Sequence, residues 1–245
     1  MSKKFSRPQS LKETSTHYCP GCGHGILHRL VAETIDELGI REQVIGIAPV
    51  GCAVVAYDYW DFDVCEAAHG RALAVATGIK RCRPDKIVFT YQGDGDLASI
   101  GFAETFHAAN RGEQLTCVFV NNACYGMTGG QMAPTTLIGQ KTATTPRGRN
   151  PLFGEGWPIR VSEILAGLEG VSFVARTSLA NPKEIINTAR CIKQAFSNQL
   201  EKKGFSLVEI LSPCPTVWQK EPLQAMKWIE EEMVKAFPLG VIKER

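Results

Sequence analysis

Two carboxylates, Asp94 and Asp96, lie in a glycine-rich turn, QGDGDLASIG at 92–101, that follows a predicted strand and opens a predicted helix. Open α/β sheets bind ligands at such turns, beyond the carboxyl ends of their strands. The stretch matches the dinucleotide pattern G-x-G-x-x-A, and Glu113 lies at about the spacing of a ribose-binding acid. However, Glu113 precedes the next predicted strand instead of ending it, and Asp94 would place negative charge against a pyrophosphate. A cation between the carboxylate and the phosphate would remove this conflict.

The next predicted strand, LTCVFV, ends in Asn121 and Asn122. Magnesium prefers about six oxygen ligands and is usually shared between one or two protein oxygens and substrate phosphates. Because neighbouring parallel strands end at the same edge of a sheet, we expect the side chains of Asp94 and Asn122 to meet there. The backbone carbonyl of Cys124 can supply a third oxygen. The sequence therefore predicts a magnesium site that holds a diphosphate.

Nine cysteines occur in the chain, and this odd number argues against a disulfide framework. Cys19 and Cys22 form a C-x-x-C pair, whereas Cys52 in PVGCAV and Cys214 in SPCPT lie in turns after predicted strands. Four converging thiolates support either structural zinc or a [4Fe–4S] cluster, and the thiolates alone do not decide between them. A zinc ribbon would need a second C-x-x-C pair, and a thioredoxin-like dithiol would need a preceding strand. We expect four other cysteines to pack as small hydrophobes: Cys65, Cys82, Cys117 and Cys191.

The elements that must position these residues alternate between strand and helix with short links. This alternation predicts an α/β fold, a doubly wound and mostly parallel sheet, in a single domain spanning 1–245. Apolar residues from Ile26 to Leu38 recur at helical spacing and end at Gly39, which is typical of a glycine-terminated helix. The final element is predicted as one amphipathic helix around Leu223 to Phe237. We distinguish three special segments: an N-terminal cysteine arm at about 1–25, a long loop at about 121–158, and a C-terminal cluster segment at about 212–245.

Bulk composition excludes several classes of function. The formal net charge is only +2 and the basic residues are scattered, so the footprint of a nucleic-acid-binding protein is missing. No apolar run approaches the roughly 18 residues of a membrane span. The first 18 residues, MSKKFSRPQSLKETSTHY, are polar and contain no hydrophobic signal core, which predicts a cytoplasmic protein.

The G-D-G at 93–95, the interval of 25 residues before Asn121-Asn122, and the stretch YGMTGGQ at 125–131 together resemble a thiamine diphosphate signature. They are similar to the β subunit of 2-oxoacid:ferredoxin oxidoreductases, particularly the 2-oxoglutarate and 2-oxoisovalerate members. The resemblance covers most of the chain, from about Cys19 to Trp218. It implies a fold that binds the diphosphate half of thiamine diphosphate.

The resemblance also implies the ligands of the cofactors. Mg²⁺ would be held by Asp94, Asn122 and the backbone carbonyl of Cys124. One [4Fe–4S] cluster would be held by cysteines that match the family in order: Cys19, Cys22, Cys52 and Cys214. The diphosphate and thiazolium contacts fall on Gly95, Asp96, Gly126 and Met127, and the predicted cofactor-binding set also contains Val50, Gly51, Cys52, Ala53 and His69. For His69, in the stretch HGRA, a cofactor contact and an ordinary turn residue both remain open.

The implied activity is oxidative decarboxylation of a 2-oxo acid to acyl-CoA, with CoA as co-substrate and electrons passed from thiamine diphosphate through the cluster to ferredoxin. The chain contains only one metal–diphosphate half, so a partner α subunit is expected to supply the pyrimidine-binding domain and the catalytic Glu. No C-x-x-C-x-x-C-x-x-x-C-P run occurs, so any further relay would belong to small ferredoxin-like subunits. Two alternatives are a non-oxidative thiamine diphosphate-dependent decarboxylase or synthase subunit and a non-catalytic zinc or cluster scaffold. The sequence does not choose between an acidic and a branched substrate.

Overall fold

A computed structural model of the chain describes residues 6–245. Its centre is a seven-stranded sheet in the order β2-β1-β3-β4-β6-β5-β7, in which β7 runs antiparallel to β5 and the other pairs are parallel. The strands are β1 (Val44–Ala48), β2 (Asp63–Glu66), β3 (Ile87–Gly93), β4 (Thr116–Asn121), β5 (Val171–Ser178), β6 (Phe205–Leu211) and β7 (Gly240–Glu244). The helices are α1 (His24–Leu38), α2 (Ala72–Cys82), α3 (Phe102–Asn110), α4 (Val161–Ala166), α5 (Pro182–Leu200), α6 (Pro215–Trp218), α7 (Pro222–Trp228) and α8 (Val234–Ala236).

Helices cover both faces of the sheet, as the doubly wound prediction requires. Successive side chains of a strand point to opposite faces, so a strand buried on both sides is apolar throughout. In β3, Phe89 and Tyr91 pack with α1 and α5, whereas Val88 packs on the other face with α2, α3 and α4. The fold prediction is confirmed, and the carboxyl ends of β1, β3, β4 and β6 lie along one edge.

The structure confirms several element predictions and corrects one. Helix α1 ends at Leu38, and Gly39 follows in the left-handed conformation with φ 65°. The predicted single C-terminal helix is interrupted: α7 and α8 are joined by a π-helical turn, Ile229–Met233. The edge strand β7 follows and was not predicted, because its half-exposed sequence becomes a strand by pairing with β5 and not through a strong local pattern.

The long loop after β4 is organised by one buried guanidinium. Arg149 donates to the carbonyl oxygens of Pro134 at 2.9 Å, Thr136 at 2.5 Å, Gly156 at 3.0 Å and Trp157 at 2.9 Å. A loop without regular structure leaves its carbonyls without helix or sheet partners, and a side chain with five donors can satisfy several of them. This explains how the loop holds a fixed path over the sheet edge.

Glu113, which the sequence argument excluded as a ribose ligand, accepts from Arg111 at 2.8 Å and from Arg81 at 2.5 Å. Cys117 and Cys191 are buried in the two core clusters, as predicted, and Cys65 packs partly buried against one of them. The prediction is wrong for Cys82, which is exposed at the end of α2. Within residues 6–245, the structure contains no helix long and apolar enough to cross a bilayer.

Candidate functional site

Asp94 follows β3 directly and begins the π-helical turn Gly95–Ile100. Its carboxylate is almost completely buried and accepts hydrogen bonds from the Gly95 N–H at 2.8 Å, the Cys124 N–H at 3.2 Å and the Thr135 hydroxyl at 2.6 Å. Burial raises the pKa of Asp94 to about 7, although these three donors oppose the rise. A buried carboxylate of this kind gains most from a cation beside it.

Asn122 brings a second oxygen to the same place. Its side-chain oxygen lies 2.8 Å from the carbonyl oxygen of Cys124 and 3.3 Å from Asp94 Oδ1, so three acceptors face one another. Adjacent ligands of an octahedral magnesium ion are separated by about 3 Å, since each lies about 2.1 Å from the metal. The donor set and its spacing therefore fit Mg²⁺ with the predicted three ligands.

The amide orientation of Asn122 bears on this fit. Rotating the amide by half a turn would replace the two oxygen contacts with hydrogen bonds to Cys124 and Asp94. In the orientation present, the amide nitrogen points towards Gly126, where an added Cβ would lie 3.4 Å from it. Only the orientation with the Asn122 oxygen towards Asp94 and the Cys124 carbonyl offers a third oxygen to a cation, so it is the orientation that magnesium binding would require.

The turn between Asn121 and Cys124 has a strained backbone. Ala123 adopts the left-handed conformation with φ 56°, which is unfavourable for a residue with a Cβ. The Asn121 side chain accepts from the Ala123 N–H at 3.1 Å and holds the turn. The conformation directs the Cys124 N–H to Asp94 and keeps the Cys124 carbonyl beside Asn122.

A cavity of about 100 Å³ opens beside this turn. Its lining contains Asp94, Asn122, Cys124 and all nine predicted cofactor-binding residues: Val50, Gly51, Cys52, Ala53, His69, Gly95, Asp96, Gly126 and Met127. Gly95 has no room for a side chain, because an added Cβ would lie 2.2 Å from the Tyr125 ring. The structure thus brings the whole predicted set to one place, while their contacts to a cofactor stay a prediction.

His69 and Asp96 form a pair at the wall of this cavity. The His69 ring nitrogen Nδ1 lies 2.6 Å from Asp96 Oδ1, and the same carboxylate accepts from the Gly70 N–H at 2.9 Å and from the Gln92 amide at 2.6 Å. The Asp96 carboxylate is therefore occupied by protein donors. It fixes the orientation of His69, whose ring is partly exposed and lines the cavity.

A second cavity of about 100 Å³ is lined by the four predicted cluster cysteines: Cys19, Cys22, Cys52 and Cys214. In the part of the chain that the structure describes, no three His, Cys, Asp or Glu side chains are placed to hold a single metal ion. Sulfur ligands of one zinc ion must crowd within about 2.3 Å of the metal. Four cysteines around a wider cavity instead fit a [4Fe–4S] cluster, which needs the same ligands farther apart.

The four thiols have unequal surroundings. Burial raises the pKa of Cys22 to about 12 and that of Cys52 to about 11. The pKa of Cys214 is lowered, because a hydrogen bond from Cys124, with others from Val217 N–H and Asn122, outweighs its burial. Binding to iron would remove the proton from each of them.

The two cavities share a wall. Cys52, Asn122 and Gly126 line both of them. An added Cβ at Gly126 would lie 3.2 Å from the Cys52 sulfur, 3.4 Å from the Asn122 amide nitrogen and 3.7 Å from the Cys214 sulfur. Groups bound in these two cavities would therefore be neighbours across this shared wall.

Comparisons with known proteins agree with this geometry. Residues 50–210 match the family described as thiamine pyrophosphate enzyme, C-terminal TPP binding domain. The 2-oxoglutarate synthase subunit KorB of Methanocaldococcus jannaschii is 36% identical over 223 residues, covering 89% of this chain and 78% of the relative. The chain belongs to the 2-oxoacid:ferredoxin oxidoreductase family. One solved structure also matches: the 2-oxoglutarate:ferredoxin oxidoreductase from Magnetococcus marinus with 2-oxoglutarate, coenzyme A and succinyl-CoA bound. The TM-score is 0.78 and the sequences are 27% identical, and the match covers 99% of this chain and 86% of that chain.

Among these 2-oxoacid oxidoreductase relatives, the ketoisovalerate oxidoreductase subunit VorA of Methanothermobacter thermautotrophicus is 53% identical over 241 residues. The match covers 98% of this chain and 50% of the relative. The chain thus spans about half the length of the VorA relatives that it matches.

The sequence analysis did not predict the roles of three residues that support the candidate site. Thr135 reaches Asp94 from the long loop, and no sequence signal marks it among the neighbouring threonines. Gln92 and Asn121 hold Asp96 and the Ala123 turn through side-chain hydrogen bonds. Both lie in buried strands, where a polar side chain signals a specific partner. That signal was available in the sequence.

Proposed function

We propose that the chain is the thiamine diphosphate-binding β subunit of a 2-oxoacid:ferredoxin oxidoreductase that converts a 2-oxo acid to acyl-CoA. The observation that carries the proposal is the shared wall: an oxygen triad fit for Mg²⁺ and a diphosphate lies against a cavity lined by four cysteines. A decarboxylation that releases electrons needs an acceptor at this place.

Asp94, Asn122 and the Cys124 carbonyl would hold the magnesium ion and through it the diphosphate, next to Gly95 and Gly126. When bound, thiamine diphosphate would supply a carbanion that adds to the keto carbon of a 2-oxo acid and an electron sink for the electron pair left by the departing CO₂. The protein side chains would fix the orientation of the cofactor, and the Asp96 carboxylate, which lies 2.6 Å from His69 Nδ1, would keep the His69 ring facing the cavity. Cys19, Cys22, Cys52 and Cys214 would hold the [4Fe–4S] cluster.

The chain would act with partners. A second subunit, or the equivalent part of a longer chain, would supply the pyrimidine-binding domain and the catalytic Glu. Ferredoxin would accept the electrons, either directly or through small ferredoxin-like subunits. The reaction would take place in the cytoplasm. The long loop supports a docked partner, since it exposes large apolar side chains at 90% for Leu152, 57% for Phe153 and 73% for Trp157. In this proposal the whole chain is one cofactor domain, with the cysteine arm, the loop and the C-terminal segment as its attachments.

We infer a branched-chain 2-oxo acid as the substrate class. The relatives named ketoisovalerate oxidoreductase are more similar, at 53% and 51% identity, than the 2-oxoglutarate synthase subunits, at 37% and below. The lining of the cofactor cavity agrees, because among its described residues no Lys or Arg is present to pair with a second carboxylate.

Two alternatives differ from this proposal in what they need. A non-oxidative thiamine diphosphate-dependent decarboxylase or synthase subunit would keep Asp94 and Asn122 but have no use for the four cysteines around one cavity. A zinc or cluster scaffold would not need the Asn122 oxygen to lie 2.8 Å from the Cys124 carbonyl oxygen and 3.3 Å from Asp94 Oδ1.

The ligand assignments predict opposite losses in two variants of the complex purified with its partner. Asp94→Ala should lose Mg²⁺ and thiamine diphosphate while retaining iron and sulfide, because it removes a ligand of only one centre. Cys214→Ser should lose iron and retain thiamine diphosphate. Elemental analysis and a thiamine assay measure both, with Asp85→Ala and Cys191→Ser as matched controls away from the site.

In the same preparations, reduction of a viologen dye should require both CoA and a 2-oxo acid, with a higher kcat/KM for 2-oxoisovalerate than for 2-oxoglutarate. Equal losses of iron and thiamine diphosphate in the two ligand variants would contradict two separate centres. A preference for 2-oxoglutarate would overturn the substrate class and leave the cofactor assignment intact.

A further inference from the structure

His69 has one ring nitrogen that the protein holds and one that it leaves to a ligand. Nδ1 lies 2.6 Å from Asp96 Oδ1, and the side chain is 31% exposed in the loop between β2 and α2. The ring lines the cofactor cavity together with the Tyr125 ring, and the two ring centroids are 6.5 Å apart. Within residues 6–245, Nε2 has no hydrogen-bond partner. This nitrogen is therefore available to a molecule bound in the cavity.

The hydrogen bond between His69 and Asp96 has a defined direction. The Asp96 carboxylate also accepts from the Gly70 N–H at 2.9 Å and from the Gln92 amide at 2.6 Å. An ionised carboxylate can only accept, so His69 donates to it from Nδ1. Nε2 then carries a lone pair in the neutral ring and a hydrogen in the charged ring. Because the contact with Asp96 is the same in both states, His69 can give and take a proton at Nε2 without moving.

Two other groups that line the cavity are less suited to carry a proton. His24 is only 7% exposed, and its Nδ1 lies 2.7 Å from the Tyr91 hydroxyl. A hydroxyl has no charge to stabilise a protonated ring, whereas the carboxylate of Asp96 does this for His69. The Tyr125 hydroxyl donates to a backbone carbonyl at 3.3 Å. Of these three groups, His69 is the one built to transfer a proton.

The proposed reaction moves a proton to and from the keto oxygen of the substrate. When a carbanion adds to the keto carbon, the π electron pair of the C=O bond moves to oxygen. An O–H bond forms there as the N–H bond at Nε2 breaks and leaves its electron pair on nitrogen. When the acyl group passes to coenzyme A, the C=O bond forms again and the proton returns to Nε2. CO₂ and two electrons leave as in the proposed function, and the thiol proton of coenzyme A is released to water.

We propose that His69 is a catalytic residue that donates its Nε2 proton to the keto oxygen of the 2-oxo acid and takes it back when the acyl group leaves, while Asp96 orients the ring. The inference rests on the proposed function. A histidine whose second nitrogen is held by a buried carboxylate is a geometry that serves proton transfer at unrelated active sites. The assignment gives this chain a part in the chemistry, beyond holding the cofactor.

The test uses the complex purified anaerobically with its partner, in wild-type form and as three variants. His69→Asn places an amide nitrogen near the Nδ1 position, where it can still donate to Asp96, but has nothing at the position of Nε2. His69→Ala removes the ring and leaves space for a small molecule. His107→Asn is the matched control, because it makes the same change at an exposed histidine of α3 whose ring contacts Phe106.

Two measurements separate proton transfer from support of the cavity. Titration calorimetry gives the Kd of thiamine diphosphate with Mg²⁺ present and needs no turnover, whereas viologen reduction with CoA and 2-oxoisovalerate gives kcat and KM. We expect His69→Asn to bind thiamine diphosphate as wild type does and to lower kcat by about 100-fold or more, with a smaller change in KM. His107→Asn should match wild type in both measurements. Imidazole should restore kcat in His69→Ala, whereas pyrazole, a ring of the same size but a much weaker base, should not.

Three results would overturn the inference. A kcat of His69→Asn close to that of wild type would show that no proton passes through Nε2. Weaker thiamine diphosphate binding by His69→Asn, or equal rescue of His69→Ala by imidazole and pyrazole, would show that His69 only shapes the cavity. A wild-type complex that binds no thiamine diphosphate would instead refute the proposed function.

Discussion

At the scale of single residues, the site depends on carboxylates whose oxygens already have partners. Asp96 lies in the glycine-rich turn after β3, where the sequence predicts a cofactor contact. Its carboxylate, however, accepts hydrogen bonds from His69, Gly70 and Gln92. The residue type and position were predictable from the sequence. Which atoms face which partner was not, because Gln92 and Gly70 approach from different elements.

Replacing Asp96 with Asn tests this positioning role. An amide in place of the carboxylate would direct a donor at His69, Gly70 or Gln92, which themselves donate, and a buried unsatisfied pair costs about 1–3 kcal/mol. We expect thiamine diphosphate to bind about tenfold or more weakly, since about 1.4 kcal/mol corresponds to a factor of ten. Titration calorimetry with Mg²⁺ present measures the Kd. The control is Asp85→Asn, whose carboxylate pairs with Arg83 at the surface; similar weakening in both variants would refute the role.

At the scale of elements, the local sequence pattern predicted those helices and strands whose formation depends on interactions between residues close in the chain. The α1 end at Gly39 and the buried β3 and β4 followed from spacing and composition, since two-sided burial makes a strand apolar throughout. The π-helical turn Gly95–Ile100 did not follow. It depends on a hydrogen bond from the Gly101 N–H to the backbone carbonyl oxygen of Asp96 at 2.8 Å, and on the Tyr125 ring that lies over Gly95. A contact with a residue 30 positions away leaves no local sequence pattern.

Two alanine substitutions distinguish this turn from an ordinary helix. Gly95→Ala places a Cβ 2.2 Å from the Tyr125 ring, so the ring must move away from the cofactor cavity. Gly78→Ala lies in α2 with nothing within 4 Å of the added Cβ. We expect Gly95→Ala to lose thiamine diphosphate binding and Gly78→Ala to gain about 0.5–1 kcal/mol of unfolding free energy from helix propensity. Urea unfolding and cofactor titration measure these effects. If Gly95→Ala bound the cofactor normally, the tight packing of the turn would not matter.

At the scale of the whole molecule, a buried ion-pair network connects the C-terminal segment to the turn between Asn121 and Cys124. Glu209 in β6 accepts from Arg176 in β5 at 2.8 Å, from Ser162 in α4 at 2.5 Å and from Asn121 at 2.7 Å. Arg176 also donates to the Pro238 carbonyl at 3.1 Å, just before β7. The sequence contained one signal of this network, the charge of Glu209 inside the apolar run FSLVEIL. It could not supply the partners of Glu209, which come from three different elements, α4, β4 and β5.

Glu209→Gln tests how far this network supports the molecule and its site. The new amide keeps one acceptor oxygen, but its NH₂ group must face a donor, either Asn121 or the Arg176 and Ser162 pair. The fully buried Arg176 would then have only the partly exposed Glu163 as an anionic partner. Breaking a buried pair typically costs about 3 kcal/mol or more. Glu169→Gln makes the same chemical change in the exposed pair with Arg245, where a much smaller loss is expected because water screens the two charges. Urea unfolding compares the two. Because Asn121 holds the Ala123 turn, Glu209→Gln should also weaken Mg²⁺ binding, whereas Glu169→Gln should not. Equal losses of unfolding free energy in the two variants, with unchanged Mg²⁺ affinity, would show that the network does not support the metal site.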